Sequence, residues 1–202
     1  ALKDWGRRYP YCSWGGRFRE WLFSDDMEPY GSFGNGAAMR VSPAGFLAGN
    51  LEDAWAMSDR VTRVTHNHPE GMKGARATVT AIVLARQGAN AEAIRNEIAQ
   101  RFDYDMGRSV DEIRPSYRFD ETCQRTVPEA LICALEAEDF EDAVRNAVSL
   151  GGDADTLAAI AGAVAEARFG VPDAIAEDVI RRLPKGMLAM VNQFRRALRE
   201  LK

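Results

Sequence analysis

The sequence predicts an all-α protein, on three observations. Apolar residues recur at helical spacing along most of the chain, and helix-capping residues and glycines bracket these segments. No segment alternates apolar and polar residues between hairpin turns, as strands would. Apolar residues make up 46% of the chain, and no linker rich in Pro, Gly or Ser divides it. We therefore expect residues 1–202 to form a single compact multi-helix domain.

The individual helices follow from periodicity and from their start and stop residues. Asn50 and Asn90 are N-cap candidates, Pro128 is expected in the first turn of its helix, and Gly170 is a C-terminal stop. The predicted helices cover residues 1–9, 51–65, 69–86, 91–102, 126–135, 139–150, 156–169, 173–183 and 186–201. Residues 25–36 and 103–120 are predicted to be irregular.

Composition excludes some classes of partner. A net charge of −4 and a pI near 5.4 argue against nucleic-acid binding by bulk electrostatics. No apolar run reaches membrane length and no secretory signal is recognisable, so no membrane partner is predicted. The three cysteines are odd in number and widely scattered, which indicates a reducing compartment and favours a cytoplasmic location.

A candidate metal site lies at residues 151–156, where two glycines precede two aspartates and a threonine. Asp153, Asp155 and Thr156 are clustered hard oxygen ligands at a predicted helix start, which suits Mg²⁺, Mn²⁺ or Ca²⁺ and not a soft metal. The alternative is an ordinary helix N-cap followed by an acidic first turn. The double glycine and the alanine-rich helix beyond favour the metal site.

A second candidate site is the loop of Gly34, Asn35 and Gly36, which runs into the segment that contains Met39. Such a loop exposes backbone N–H groups that could bind phosphate oxygens. The alternative is a tight turn, because Asn-Gly is a common turn dipeptide.

The two histidines of the chain, His66 and His68, lie two residues apart, which does not place them on one helix face as zinc ligands. They could line a sugar pocket or cap the helix that begins at Pro69. Cys123 has no histidine near it in sequence, so a buried thiol is favoured over a nucleophile.

Together these motifs resemble the ADP-ribosylglycohydrolase family. The resemblance rests on Gly-Asn-Gly-Ala-Ala-Met-Arg at 34–40, Thr-His-Asn-His-Pro-Glu-Gly at 65–71 and Gly-Gly-Asp-Ala-Asp-Thr-Leu-Ala-Ala-Ile at 151–160. It implies a metal-dependent hydrolase with two Mg²⁺ or Mn²⁺ ions that removes ADP-ribose from a modified protein side chain or a small acceptor. The implied metal ligands are Asp153, Asp155 and Thr156. The implied substrate-binding residues are Gly34, Asn35, Gly36, Met39, His66, His68 and Cys123.

One departure from the family pattern bears on activity. Family members carry an upstream Gly-Asp segment and a Thr-Asp-Asp-Thr motif that supply further metal ligands, and neither occurs in this sequence. We therefore expect N-terminal helices to be missing and the metal site to be half complete. The alternative function is a catalytically dead member that binds ADP-ribose or serves a structural role. ADP-ribosyl-arginine, ADP-ribosyl-serine and O-acetyl-ADP-ribose remain open as substrates, as does the oligomeric state.

Overall fold

The computed structural model describes residues 1–200, which form thirteen helices. The only β-type pairing in this range is an isolated bridge between Gly34 and Thr122, so the prediction of an all-α fold is confirmed. The helices are α1 Leu2–Arg8, α2 Gly16–Phe23, α3 Gly36–Met39, α4 Ser42–Leu47, α5 Leu51–Thr62, α6 Pro69–Arg86, α7 Ala91–Phe102, α8 Val110–Ile113, α9 Cys123–Glu136, α10 Phe140–Ser149, α11 Ala154–Phe169, α12 Asp173–Arg182 and α13 Lys185–Glu200.

Helix α6 is the centre of the molecule. It packs against α3, α4, α5, α7, α9 and α11. Val79, Ile82 and Val83 are almost completely buried in the main core, and small residues on the same helix let its neighbours approach closely. Helices α9, α10 and α11 pack against one another beside it. No helix within residues 1–200 combines the length and the apolar character that crossing a bilayer requires.

Several helix boundaries agree with the capping signals in the sequence. The side chains of Asn50, Asn90 and Asp139 accept hydrogen bonds from the backbone N–H groups three residues later, at 2.8–2.9 Å. Each of these bonds satisfies a backbone donor that has no partner within its helix. The starts of α5, α7 and α10 are therefore determined locally.

Two of the differences from the predicted helices concern α8 and α9. Helix α9 begins at Cys123 instead of Thr126, so Pro128 lies inside the helix and not in its first turn. The earlier start is fixed from outside the helix, because the Cys123 N–H donates to the carbonyl of Phe33 at 3.0 Å. The segment 103–120, predicted to be irregular, contains the short helix α8, which begins with a capping box formed by Ser109 and Glu112.

The starts of four helices meet on one side of the molecule. Helices α3, α9 and α11 contact one another, and the bridge between Gly34 and Thr122 joins the segments that precede α3 and α9. The start of α6 packs on the same loop, since a Cβ atom placed on Gly71 would lie 2.8 Å from the carbonyl oxygen of Ser32. This junction contains most of the residues selected from the sequence.

Candidate functional site

The turn before α11 is fixed by its two glycines. Gly151 and Gly152 have φ angles of +73° and +63°, in the left-handed region that other residues rarely adopt. A Cβ atom on Gly152 would also lie 2.8 Å from Cε1 of Tyr117, so no side chain fits there. The turn is thus packed on the segment before α9, and this contact sets where Asp153 begins the next helix.

The carboxylate of Asp153 points away from its own helix. It accepts a hydrogen bond from Nδ2 of Asn35 at 2.6 Å and makes no capping bond to α11. Asp155 accepts from the backbone N–H of Thr156 at 2.8 Å. Neither aspartate forms an ion pair with a basic group within residues 1–200. The N-cap alternative therefore does not account for Asp153.

Asp153 and Asp155 influence each other electrostatically. Burial raises the pKa of Asp153 above its ordinary value, the hydrogen bond from Asn35 opposes that shift, and the neighbouring Asp155 carboxyl adds to it. The hydroxyl of Thr156 lies next to these two carboxyl groups and contacts the sulfur of Met39 at 3.7 Å.

Asn35 connects three of the converging elements. Its backbone N–H donates to the carbonyl of Glu121 at 2.7 Å, and its side chain is buried. The amide nitrogen donates both to Asp153 and, at 3.1 Å, to the hydroxyl of Thr126 on α9. That hydroxyl in turn donates to the carbonyl oxygen of Asp120 at 3.2 Å. Every polar group in this chain of bonds has a partner, so the orientation of Asp153 is fixed.

The two glycines on either side of Asn35 leave room for His66. Cβ atoms placed on Gly34 and Gly36 would lie 3.6 Å and 3.3 Å from His66 Nε2. The other ring nitrogen, Nδ1, lies 2.7 Å from the hydroxyl of Thr65. Burial lowers the pKa of His66 to about 3, and the charges of Arg40 and Arg17 act in the same direction. His66 is therefore neutral at physiological pH.

His68 and Cys123 have structural contacts. His68 is the N-cap of α6, where its Nδ1 accepts from the backbone N–H of Glu70 at 3.1 Å, so the capping alternative describes it. The Cys123 thiol donates to the carbonyl of Gly34 at 3.2 Å, and burial raises its pKa to about 12. A thiol with such a pKa is a poor nucleophile, as the buried-thiol interpretation expects.

The donor set at the α11 turn fits a hard divalent cation. It combines two carboxylates and one hydroxyl without a competing basic group, and oxygen ligands suit Mg²⁺ and Mn²⁺. No group of three or more His, Cys, Asp or Glu side chains within residues 1–200 could hold a metal. The turn thus offers two carboxylates, and the remaining ligands of an octahedral ion would be water or other groups.

Sequence reasoning did not select three residues that organise this site. Thr126 holds the Asn35 amide, Tyr117 packs on Gly152, and Arg40 lies beside His66. Arg40 lies within the motif at 34–40, which was the one available signal. Nothing in the sequence distinguishes Thr126 or Tyr117, because their role depends on how α9 and its preceding segment pack on the α11 turn.

Comparison with known proteins agrees with this arrangement. A family model described as ADP-ribosylglycohydrolase matches residues 3–201. A solved structure entitled ADP-ribosylglycohydrolase-related protein complex superposes with a TM-score of 0.71 at 27% identity, covering 98% of this chain and 73% of that chain.

Three relatives are named as ADP-ribosyl hydrolases. The chain is 30% identical to the ADP-ribosylarginine hydrolase Tri1 of Pseudomonas putida, over 68% of this chain and 39% of the relative. It is 31% identical to the ADP-ribosyl-dinitrogen reductase glycohydrolase of Rhodospirillum rubrum, over 72% of this chain and 50% of the relative. The match to the ADP-ribosylhydrolase ARH3 of Danio rerio has 27% identity and covers 70% of this chain and 50% of the relative. The chain thus spans half of these relatives or less.

Proposed function

Because the chain belongs to the ADP-ribosylglycohydrolase family, we propose that it acts in the metal-dependent hydrolysis of ADP-ribosyl groups attached to protein side chains. One observation carries the proposal to this site: the Asn35 amide joins the Gly-Asn-Gly loop to the Asp153 carboxylate, although the two lie far apart in sequence. This bond places the glycine-rich loop next to two carboxylates that have no basic partner. The names of the relatives from Pseudomonas putida and Rhodospirillum rubrum support a protein-linked substrate.

Asp153, Asp155 and Thr156 would hold Mg²⁺ or Mn²⁺. When bound there, such an ion supplies Lewis-acid chemistry, orienting hydroxyl groups and lowering the pKa of a coordinated water. Hydrolysis adds the elements of water across the bond between ribose C1 and the acceptor, and the acceptor leaves with a proton. Within this chain, Asn35 orients Asp153. Gly34 and Gly36 let a ligand approach the backbone.

Exposed apolar side chains at the same junction would contact the less polar parts of the ligand. Phe33, 42% exposed, directly precedes the Gly-Asn-Gly loop, and Met39, 47% exposed, ends the short helix α3 that follows it. Ligand sites are lined mostly by apolar and aromatic side chains, which bury the rings of a ligand, while a few polar groups fix its orientation. The faces of a nucleobase or of a ribose ring could pack against such side chains.

The proposal is tested with a variant that removes one carboxylate and a control that removes one elsewhere. Asp155→Asn removes a carboxylate from the first turn of α11, and Asp173→Asn removes one from the first turn of α12. We expect Mg²⁺ to strengthen the binding of ADP-ribose to the wild type and to Asp173→Asn by about tenfold or more, and to have no effect on Asp155→Asn. Isothermal titration calorimetry measures all three.

Release of ADP-ribose from an ADP-ribosyl-arginine peptide separates the two functions. Mg²⁺-dependent release by the 202-residue chain supports the hydrolase. Binding of ADP-ribose without release supports the alternative of a non-catalytic ADP-ribose-binding protein. Absence of both binding and release would contradict the assignment of the site.

A further inference from the structure

Hydrogen bonding around His66 determines which ring nitrogen carries the proton. Arg40 Nη1 donates to the Thr65 hydroxyl oxygen at 3.0 Å, and this oxygen lies 2.7 Å from His66 Nδ1. Arg40 Nη2 lies 3.5 Å from the same nitrogen. A guanidinium group can only donate, so the Thr65 hydroxyl accepts from Arg40, and within residues 1–200 the one acceptor in reach of its own proton is Nδ1. Nδ1 is then an acceptor, and in the neutral ring the proton is on Nε2.

The Nε2–H group faces the backbone of the candidate site. It lies beside Gly34 and Gly36, where any Cβ atom would come within 3.6 Å of it. His66 is only 4% exposed, and no protein atom in residues 1–200 accepts a hydrogen bond from Nε2. Nε2 is not one of the fully buried side-chain atoms that lack a partner, so it keeps some access to solvent, and its N–H is open to a ligand oxygen.

The charged groups around the ring disfavour a second proton. Arg40 follows α3 and also donates through Nε to the carbonyl of Gly36 at 2.6 Å, which anchors it. Arg17 on α2 and Tyr30 in the loop before α3 approach from the other side. A positive His66 would therefore face two guanidinium groups, and the weak acids near it are the phenol of Tyr30 and, across Gly34, the thiol of Cys123.

We propose that Arg40 and Thr65 are positioning residues that hold His66 as a neutral Nε2–H donor, which binds an oxygen of the ADP-ribosyl ligand and takes no part in proton transfer. The proposal rests on the proposed function for the identity of the ligand. The protonation of the ring can be measured without any ligand. Failure of the inference and failure of the proposed function are therefore distinguishable.

Nuclear magnetic resonance of the ¹⁵N-histidine-labelled chain measures the tautomer directly. The signals of the two histidines are assigned with His68→Gln. We expect His66 to show the Nε2–H tautomer unchanged from pH 8 to pH 5, and its Nε2–H proton to shift when ADP-ribose is added. An Nδ1–H tautomer, or titration of His66 between pH 5 and pH 8, would overturn the inference.

Binding by His66 variants tests the role of the donor. His66→Gln keeps an uncharged N–H donor, so its ADP-ribose affinity should fall less than that of His66→Phe and should stay independent of pH. His66→Phe keeps a ring but no donor, and the affinity should fall about tenfold. Equal affinities for wild type and His66→Phe would overturn the inference. If wild type does not bind ADP-ribose at all, the proposed function fails while the tautomer result stands.

Arg40→Gln tests the positioning role. Without the guanidinium, the Thr65 hydroxyl is no longer required to donate to Nδ1, so the ¹⁵N spectra of Arg40→Gln should show both neutral tautomers of His66. The conservative Arg40→Lys variant keeps a charged donor and should restore the Nε2–H tautomer in part. An unchanged Nε2–H tautomer in Arg40→Gln would show a merely structural arginine. If Arg40→Gln does not fold, the wild-type spectra and the His66 variants decide the question.

Discussion

At the scale of single residues, the site depends on Asn35, whose two side-chain amide protons are both donated in hydrogen bonds. One proton goes to the Asp153 carboxylate and one to the Thr126 hydroxyl, so the side chain has a single orientation. Replacing a group that holds a metal ligand in place typically lowers metal affinity by about 10–100-fold. Asn35 was predicted to line the substrate pocket, and the structure adds this contact with Asp153.

Replacing Asn35 with alanine should therefore weaken metal binding as well as the fold. The loss of both bonds should lower the free energy of unfolding by about 1–3 kcal/mol, because Asp153 and Thr126 lose their donor. Mn²⁺ affinity should fall about 10–100-fold, because the carboxylate is no longer held. Urea unfolding and calorimetric titration measure the two effects.

A matched control separates the two effects. Asn90 caps α7 at an exposed position, and Asn90→Ala should reduce stability by about 1 kcal/mol without changing the affinity for Mn²⁺. Similar Mn²⁺ affinities for Asn35→Ala and Asn90→Ala would show that Asn35 supports the fold alone.

At the scale of helices, α6 and α9 approach closely because Gly74 has no side chain. A Cβ atom at Gly74 would lie 2.7 Å from the Cys123 sulfur and 2.8 Å from its Cβ. Helix α11 also contains a glycine, but a Cβ atom at Gly162 would meet Val144 at an ordinary 3.6 Å. The two glycines thus have different structural roles.

Alanine at these positions should change stability in opposite directions. Gly74→Ala should destabilise the protein by about 1–3 kcal/mol, because the start of α9 must move away from α6. Gly162→Ala should stabilise it by about 0.5–1 kcal/mol, since alanine is the better helix former and has room. Thermal unfolding compares both with wild type. A stable Gly74→Ala would mean that the two helices separate easily.

The same scale shows what could be predicted from the sequence. Asn50, Asn90 and Asp139 mark helix starts correctly because each bonds to a backbone group only three residues away. The predicted start of α9 was wrong because the actual start depends on a hydrogen bond from the Cys123 N–H to the Phe33 carbonyl, and the two residues are distant in sequence. The residue types of the site were visible in the motifs. Their pairing, Asn35 with Asp153, arises only when three helix starts pack together.

For the whole molecule, the buried neutral His66 makes stability depend on pH. The pKa of His66 is about 3 in the folded chain and about 6.5 in an unfolded one, so acid protonates the unfolded chain first. Stability is therefore lost as pH falls below about 6.5, by at most about 1.4 kcal/mol per pH unit for this one proton. Burial raises the pKa values of Glu129 and Glu166, and these groups act in the opposite direction.

Comparison with His66→Gln isolates this effect, since glutamine does not titrate. Between pH 7 and pH 5 the wild type should lose about 2 kcal/mol more stability than the variant. Urea unfolding at the two pH values gives both differences. Parallel losses in the two proteins would mean that His66 is protonated equally in the folded and unfolded chains.

The central claim is that the α11 turn and the Gly-Asn-Gly loop form one cation-dependent site. The most direct test is nuclear magnetic resonance of the backbone amides, whose signals are broadened near bound Mn²⁺. The account predicts that substoichiometric Mn²⁺ first broadens the signals of residues 152–156 and of Asn35, and that Asp155→Asn abolishes this. A second acidic region, lined by Asp111, Glu136, Glu138 and Asp142, serves as an internal comparison. Broadening centred there, or spread evenly over the surface, would contradict the account.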